Sequence, residues 1–416
     1  MNSDSAMQGQ KPDGPHRPLR TLAAIILIGT LLRAIPILWG TTYWNPVQYN
    51  FHPDEPKIVR QVDDFPKYLS DYHDFRYPHF LHMTYGMAWW AIGGAFDLRD
   101  DEVSMPGVPG YERTLVFGRI LNTLIFGAGG MLLLWLFAKR MFDSRVALFA
   151  VAATSIQGWV VASTPLVQTD VPAAFALLAV FYVLLRLDRS PLVRTRQGWL
   201  VGILMGVAIA MKYPAGIGWV GVAITALCAP LRKACTWRQA LGFLTCAALG
   251  CVITFAVFVP GCIYDFESFQ LSLQWEFQSK MQQSRFRWAD FFDSLFICLP
   301  LWILIPACAG WVLSLRKLRT VTPWSIAVCL VASVLISAKA FRPDYAVSLM
   351  PFAAVFSGYA LWRLADWKPI GRAAAVSYLL AGHLFVGYVV YQRYAGETRY
   401  TSEAWIQAHI EPGPLG

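Results

Sequence analysis

Residues 50–60 read NFHPDEPKIVR, and within them Asp54 and Glu55 stand side by side between Pro53 and Pro56. Proline fixes its own φ and pushes the preceding residue towards extended backbone, so His52 and Glu55 are both restricted and the carboxylates sit on stiff chain. A carboxylate held that way can aim a proton acceptor at one point. Other ionisable groups stand at the edges of apolar runs: Asp170 ends STPLVQTD directly before VPAAFALLAVFYVLL, and Lys212 follows the run GILMGVAIAM. Arg119 lies inside another such run, while Arg342, Asp344 and Tyr345 share the segment FRPDY. Charges at such depth are costly unless they face a cavity or a partner, although any one of them alone could be a solvated loop charge or, for Arg119, a snorkelling side chain.

The elements that must position these groups are membrane helices. The chain has 416 residues, of which 56% are hydrophobic and only 15% charged. That balance defines an all-α polytopic membrane protein. The net charge of +9 is spread over short clusters between apolar runs rather than along a soluble stripe, so it reports orientation and excludes nucleic acid as a partner. The eight cysteines form no CxxC and lie mostly in apolar stretches, which fits small core hydrophobes rather than a disulfide or zinc framework.

Basic clusters occur at 11–20, 138–145, 186–197, 231–238, 315–319 and 362–372. Placing them all in the cytoplasm gives a chain of about eleven spans with the N-terminus inside and the C-terminus outside, in the cell membrane. The spans run roughly over 20–40, 113–138, 146–163, 171–187, 198–212, 214–230, 239–260, 291–314, 322–338, 345–362 and 372–391. This divides the protein into a cytoplasmic tail 1–19, a membrane domain 20–392 whose first outer loop is 41–112, and an outer tail 393–416. The stretch 80–98 must then lie along or dip into the outer leaflet, as a juxtamembrane helix. With this topology Asp54, Glu55, Asp170, Lys212 and Arg342 all face the non-cytoplasmic side. Cations and carboxylates at an outer lipid boundary suit a phosphate carried on a long lipid tail, the cations holding the phosphate while a carboxylate moves a proton.

The segments FHPDEP, FRYPHFLHMTYGMAWW, FGRILNTLIFGAGGMLLLWLFAKRMFDSRVALFAVAATS, STPLVQTDVPAAFALLAVFYVLL, GILMGVAIAMKYPAGI and RPDYAVSLMPFAAVFSGYAL occur in that order. Together they resemble the GT-C glycosyltransferases of the protein O-mannosyltransferase and aminoarabinose-transferase type, over roughly residues 20–410. The resemblance implies transfer of a sugar from a polyprenyl-phosphate carrier to a protein, lipid or glycan acceptor on the outer face. It maps the acid-base function onto Asp54 and Glu55, the acidic residue of the second outer loop onto Asp170, and cations near the lipid phosphate onto Lys212 and Arg342. Arg119, His79 and Tyr345 join the groups expected to bind substrate. One base suffices for a single inverting displacement, whereas a retaining route would want a second carboxylate as nucleophile. Asp54 is assigned as base and Glu55 as its positioning partner, with the reverse arrangement left open.

Two features depart from the family. No loop is long enough for the large soluble insertion of the eukaryotic enzymes, and 393–416 is too short for the outer domain that follows a segment like TSEAWIQAHIEPG in bacterial relatives. No cofactor is demanded. His79 and His82, with His52 and His73 near in sequence, are the set that a divalent metal would use, against the ordinary reading of hydrogen-bonded histidines. GILMG reads as a helix-packing motif, and the absence of a Gly-rich phosphate loop disfavours a nucleotide-sugar donor. The alternative function is a transporter or flippase for a lipid-linked sugar, against which stand acids in outer loops rather than at the midplane and the lack of an internal repeat.

Overall fold

The computed structural model describes residues 16–39, 41, 55–65, 75–76, 78–96, 109–188, 195–282, 292, 296, 299–315, 324, 326 and 348–395. Regular structure among them is entirely helical. The chain enters with α1 (His16–Ala34), followed by α2 (Glu55–Asp63) and α3 (Phe80–Ala95). A long rod follows, made of α4 (Pro109–Asn122), a π-helical stretch Thr123–Gly129 and α5 (Gly130–Met141). Then come α6 (Ser144–Ser155), α7 (Gly158–Ser163), α8 (Asp170–Asp188) and α9 (Thr195–Met211), a 3-10 turn Tyr213–Ile217, α10 (Gly218–Leu231) and α11 (Trp237–Phe258). The short α12 (Gly261–Tyr264), α13 (Phe266–Gln282), α14 (Leu301–Ser314), α15 (Met350–Trp367) and α16 (Pro369–Ala395) complete the described elements.

Five helical stretches are long and apolar enough to cross a membrane: Gly110–Met141, Asp170–Leu187, Tyr213–Leu231, Trp237–Phe258 and Pro369–Gln392. Their outer faces are apolar and uncovered, as with Leu241, Leu249 and Val252 on α11 and Leu380, Leu384 and Tyr388 on α16. Water would penalise such faces, and hydrocarbon does not. The architecture is therefore a multi-pass helical membrane fold.

Lipid tails provide no hydrophobic drive between helices, so close backbone approach has to hold the bundle together. Gly198, Gly202 and Gly206 recur every fourth residue on α9 and face the Phe243, Ala247 and Cys251 carbonyls of α11, at positions where a Cβ could not stand. Gly310 of α14 meets the Phe356 carbonyl of α15 in the same way, and Gly358 of α15 meets the backbone of Ala150 on α6. At the centre Phe352 packs edge-on against Phe137 (5.9 Å) and Phe181 (5.6 Å), which ties α15 to α5 and α8.

Two details differ from the sequence reading. The stretch 146–163, expected as one span, is broken: Gln157 has extended backbone (φ −82°, ψ 92°) between α6 and α7, and its side-chain amide donates to the Met350 carbonyl at 3.0 Å. Before that stretch lies α2, a nine-residue helix not placed from sequence, whose Glu55, Ile58, Val59 and Val62 share one buried face. Along 80–98, helix α3 covers Phe80–Ala95, 16 residues or about 24 Å of rise, and packs beside α2.

Replacing Gly202 with leucine should prise α9 from α11. Overpacking of this kind costs about 1–3 kcal/mol, so the purified variant should melt or aggregate at clearly lower temperature by fluorescence-detected gel filtration. An unchanged melting profile would show that the glycine contact does not hold this pair.

Candidate functional site

The end of α1, the start of α2, the first span and the loop before α8 meet at one buried ion pair. Glu55, the first residue of α2, and Arg119 of α4 are 1% and 0% exposed. Arg119 Nη2 donates to Glu55 Oε2 at 2.8 Å and Nε to Oε1 at 3.0 Å, a two-pronged contact that fixes both side chains in plane. The remaining nitrogen, Nη1, donates to the carbonyls of Ile37 (3.1 Å), Pro36 (3.3 Å) and Trp39 just beyond α1. Glu55 Oε1 also accepts from the backbone N–H of Val167 at 3.0 Å. One guanidinium and one carboxylate thereby join four segments of chain.

Further hydrogen bonds tie the same segments. Asp63, at the end of α2, accepts from Trp89 Nε1 of α3 at 3.1 Å and from Thr114 Oγ1 of α4 at 3.0 Å. Asn122, one turn after Arg119 on α4, accepts from the Tyr85 hydroxyl of α3 and donates to the Leu166 carbonyl. Gly118 leaves room for Val167, since a Cβ there would stand 2.9 Å from its side chain. The 164–169 turn is thus clamped at Leu166 and Val167, three residues before Asp170.

Asp170 opens α8, where the positive end of the helix dipole favours a carboxylate. Lys212 Nζ contacts Asp170 Oδ1 directly. The lysine is 21% exposed against 8% for the aspartate, so the pair sits at the rim of the bundle rather than in its core. His79, buried at the start of α3, stacks on Phe75 (centroids 5.1 Å apart) and meets the ring of His82 edge-on at 5.5 Å. Burial first, and then the neighbouring His79, hold the His82 imidazole well below its ordinary pKa, so it is neutral. Among the described residues no three His, Cys, Asp or Glu side chains are grouped to hold a metal ion. His52 and His73 lie outside the described residues, as do Asp54, Arg342 and Tyr345.

Of the residues singled out from sequence, Glu55 is brought to Arg119 and Asp170 to Lys212, and the two pairs are linked through Val167. His79 belongs to a separate cluster with Phe75. Asn122, Tyr85 and Asp63 were missed, although an asparagine three residues after an arginine in the apolar run FGRILNTLIF shares its helix face and was a readable signal. Arg33 was also missed: it is 1% exposed and donates to the Gly29 carbonyl (2.8 Å) and the Thr154 carbonyl (3.3 Å) in the last turn of α6. There the negative end of the helix dipole supports a cation.

Comparison with known proteins gives the fold. The fold matches ArnT from Cupriavidus metallidurans bound to undecaprenyl phosphate, with a TM-score of 0.61 at 15% identity over 90% of this chain and 72% of that one. It also matches the Archaeoglobus fulgidus oligosaccharyltransferase in the apo form, with a TM-score of 0.58 at 14% identity over 96% of this chain and 59% of that one. The archaeal AglB in complex with an inhibitory peptide and a dolichol-phosphate gives 0.56 at 13% identity, over 95% of this chain and 58% of that one. The chain thus spans less than two thirds of the archaeal enzymes. Its fold is the one these structures share, in keeping with the resemblance in sequence. Residues 115–264, which include Arg119, Asp170 and Lys212, match the family described as dolichyl-phosphate-mannose-protein mannosyltransferase. No curated protein sequence matches.

Asn122→Leu should leave the Tyr85 hydroxyl buried without a partner and strip the Leu166 carbonyl of one of its two donors, the Gln168 N–H remaining, at a cost of about 1–3 kcal/mol. A fall in melting temperature with the helix content of the folded state unchanged is the expected result. Stability equal to the parent would mean that Asn122 does not hold the turn before Asp170.

Proposed function

We propose that this protein is a membrane glycosyltransferase that moves a sugar from a polyprenyl-phosphate carrier to an acceptor on the non-cytoplasmic face, with Asp54 as general base. The observation that carries the proposal is the buried Glu55–Arg119 pair, because it anchors the residue directly after Asp54 and, through Val167, the turn that delivers Asp170. The fold shared with proteins solved with undecaprenyl phosphate and dolichol-phosphate supports a lipid-phosphate donor.

In this reading Asp54 takes the proton of the acceptor as its heteroatom attacks the anomeric carbon. The carbon–oxygen bond to phosphate breaks, its electron pair stays with the departing lipid phosphate, and the anomeric centre inverts in the single displacement. Positive charge grows on the sugar and negative charge on the phosphate, which is where pre-placed cations act. Lys212 and Arg342 hold that phosphate, Asp170 shapes the acceptor side, and His79 and Tyr345 line the substrate.

Arg119 takes a different part from the direct substrate contact expected from sequence. Its nitrogens serve Glu55 and the Pro36, Ile37 and Trp39 carbonyls, so it acts through Glu55. Glu55 in turn positions Asp54 rather than acting as the base. The orientation proposed with this chemistry has about eleven spans, an inner N-terminus and an outer C-terminus.

Asp54→Asn keeps the size of the side chain and removes the proton acceptor. Turnover of a polyprenyl-phosphate sugar added to the outside of sealed right-side-out vesicles should fall by about 10²–10⁴-fold, with donor affinity largely kept. Near-parental turnover would remove Asp54 as the base. Uptake of the intact donor by the parent, with no sugar transferred, would favour the transporter instead.

A further inference from the structure

Phe75 lies in the first outer loop, twenty-one positions after Asp54, and is 0% exposed. Two parts of the chain hold it, α13 and the turn after Lys212. Its N–H donates to Ser272 Oγ of α13 at 3.2 Å, its carbonyl accepts from the Tyr213 hydroxyl at 2.6 Å, and its ring lies edge-on to Phe269 at 6.0 Å. The ring fills the space over Gly261, where any Cβ would overlap it. On the next residue, the Arg76 guanidinium lies over the Trp275 ring of α13 at 4.8 Å. Phe75, Ala210 and Val259 form a small core of their own, apart from the main one.

Tyr213 directly follows Lys212, whose backbone is extended (φ −156°, ψ 123°). Successive side chains of extended chain point to opposite sides, so the turn sends the lysine to Asp170 and the tyrosine to Phe75. A lysine ammonium on a flexible stem is placed only as well as its backbone is. The hydroxyl of Tyr213 pins that backbone to the first outer loop.

We infer that Tyr213 is a positioning residue: its bond to the Phe75 carbonyl, seated on Gly261, latches the first outer loop to the Lys212 turn and so fixes Lys212 relative to the loop that carries Asp54. This rests on the proposed function, in which Lys212 holds the donor phosphate. The phosphate gains charge as the sugar leaves, so a misplaced cation lowers kcat/KM for the donor rather than acting through the acceptor.

The test uses the full chain in detergent with Tyr213→Phe, Lys212→Ala and the double variant. Tyr213→Phe should lower kcat/KM for a polyprenyl-phosphate sugar by about 5–20-fold, in the range of one lost hydrogen bond, with KM for the acceptor unchanged. In the Lys212→Ala background the same substitution should have no further effect, because its action passes through the lysine. A general loss of fold would instead multiply with the Lys212→Ala loss, and that result overturns the inference, as does parental kcat/KM in Tyr213→Phe. A second measurement needs no donor: acylation of Lys212 by an amine reagent, followed by peptide mass spectrometry, should be about 3–10-fold faster in Tyr213→Phe as the turn loosens. Unchanged acylation overturns the latch. Failure of the parent to transfer sugar from any such donor would overturn the proposed function, and the acylation rate would still decide the latch.

Discussion

A guanidinium taken out of water into a helical bundle has to find its compensation inside the protein, and Arg119 finds it in Glu55 and three carbonyls. Removing one partner of such a pair leaves a buried charge uncompensated, at a cost of about 3–5 kcal/mol. That penalty makes the geometry around it obligatory rather than preferred. The stretch just beyond α1, the start of α2, the last turn of α4 and the turn before α8 cannot separate without breaking it. Asp54 and Asp170 adjoin two of these segments in sequence, and in this sense the pair is a frame for the proposed site.

The frame is reinforced by bonds to backbone rather than by further charges. Asn122 and Glu55 grip the 164–169 turn by its Leu166 carbonyl and Val167 N–H, and Gln157 grips the Met350 carbonyl where α15 begins. Around them the bundle is closed by glycine faces, as where Gly198, Gly202 and Gly206 admit the α11 carbonyls and Gly310 the Phe356 carbonyl. Both devices suit a hydrocarbon surrounding, which offers no water to satisfy a freed carbonyl and little drive for apolar faces to associate.

Much of this was legible in the sequence. The spans expected at 171–187, 214–230 and 239–260 correspond closely to Asp170–Leu187, Tyr213–Leu231 and Trp237–Phe258, because apolar length is a direct physical requirement of the bilayer. Glu55, Arg119, Asp170 and Lys212 stood out because a charge at an apolar boundary needs a reason, though which carboxylate each cation takes depends on tertiary approach. Most of what stayed hidden shares a cause. Arg33 and Tyr213 bond main-chain carbonyls, which are present at every position and leave no trace in residue type. The break at Gln157 was hidden similarly, since its partner is the Met350 carbonyl, far along the chain. Juxtamembrane helices were expected in the first loop, but α2 was not located because it is only nine residues long and begins between Pro53 and Pro56.

The central claim is that Glu55 and Arg119 act as one unit that positions the base. A double-mutant cycle with Glu55→Gln, Arg119→Gln and both together, read in thermal stability and in turnover, addresses it most directly. Each single variant should lose about 3–5 kcal/mol of stability, and the double variant should lose clearly less than the sum, with a coupling of at least about 1.5 kcal/mol and turnover no lower than in the weaker single variant. Losses that simply add, in stability and in turnover alike, would contradict the account.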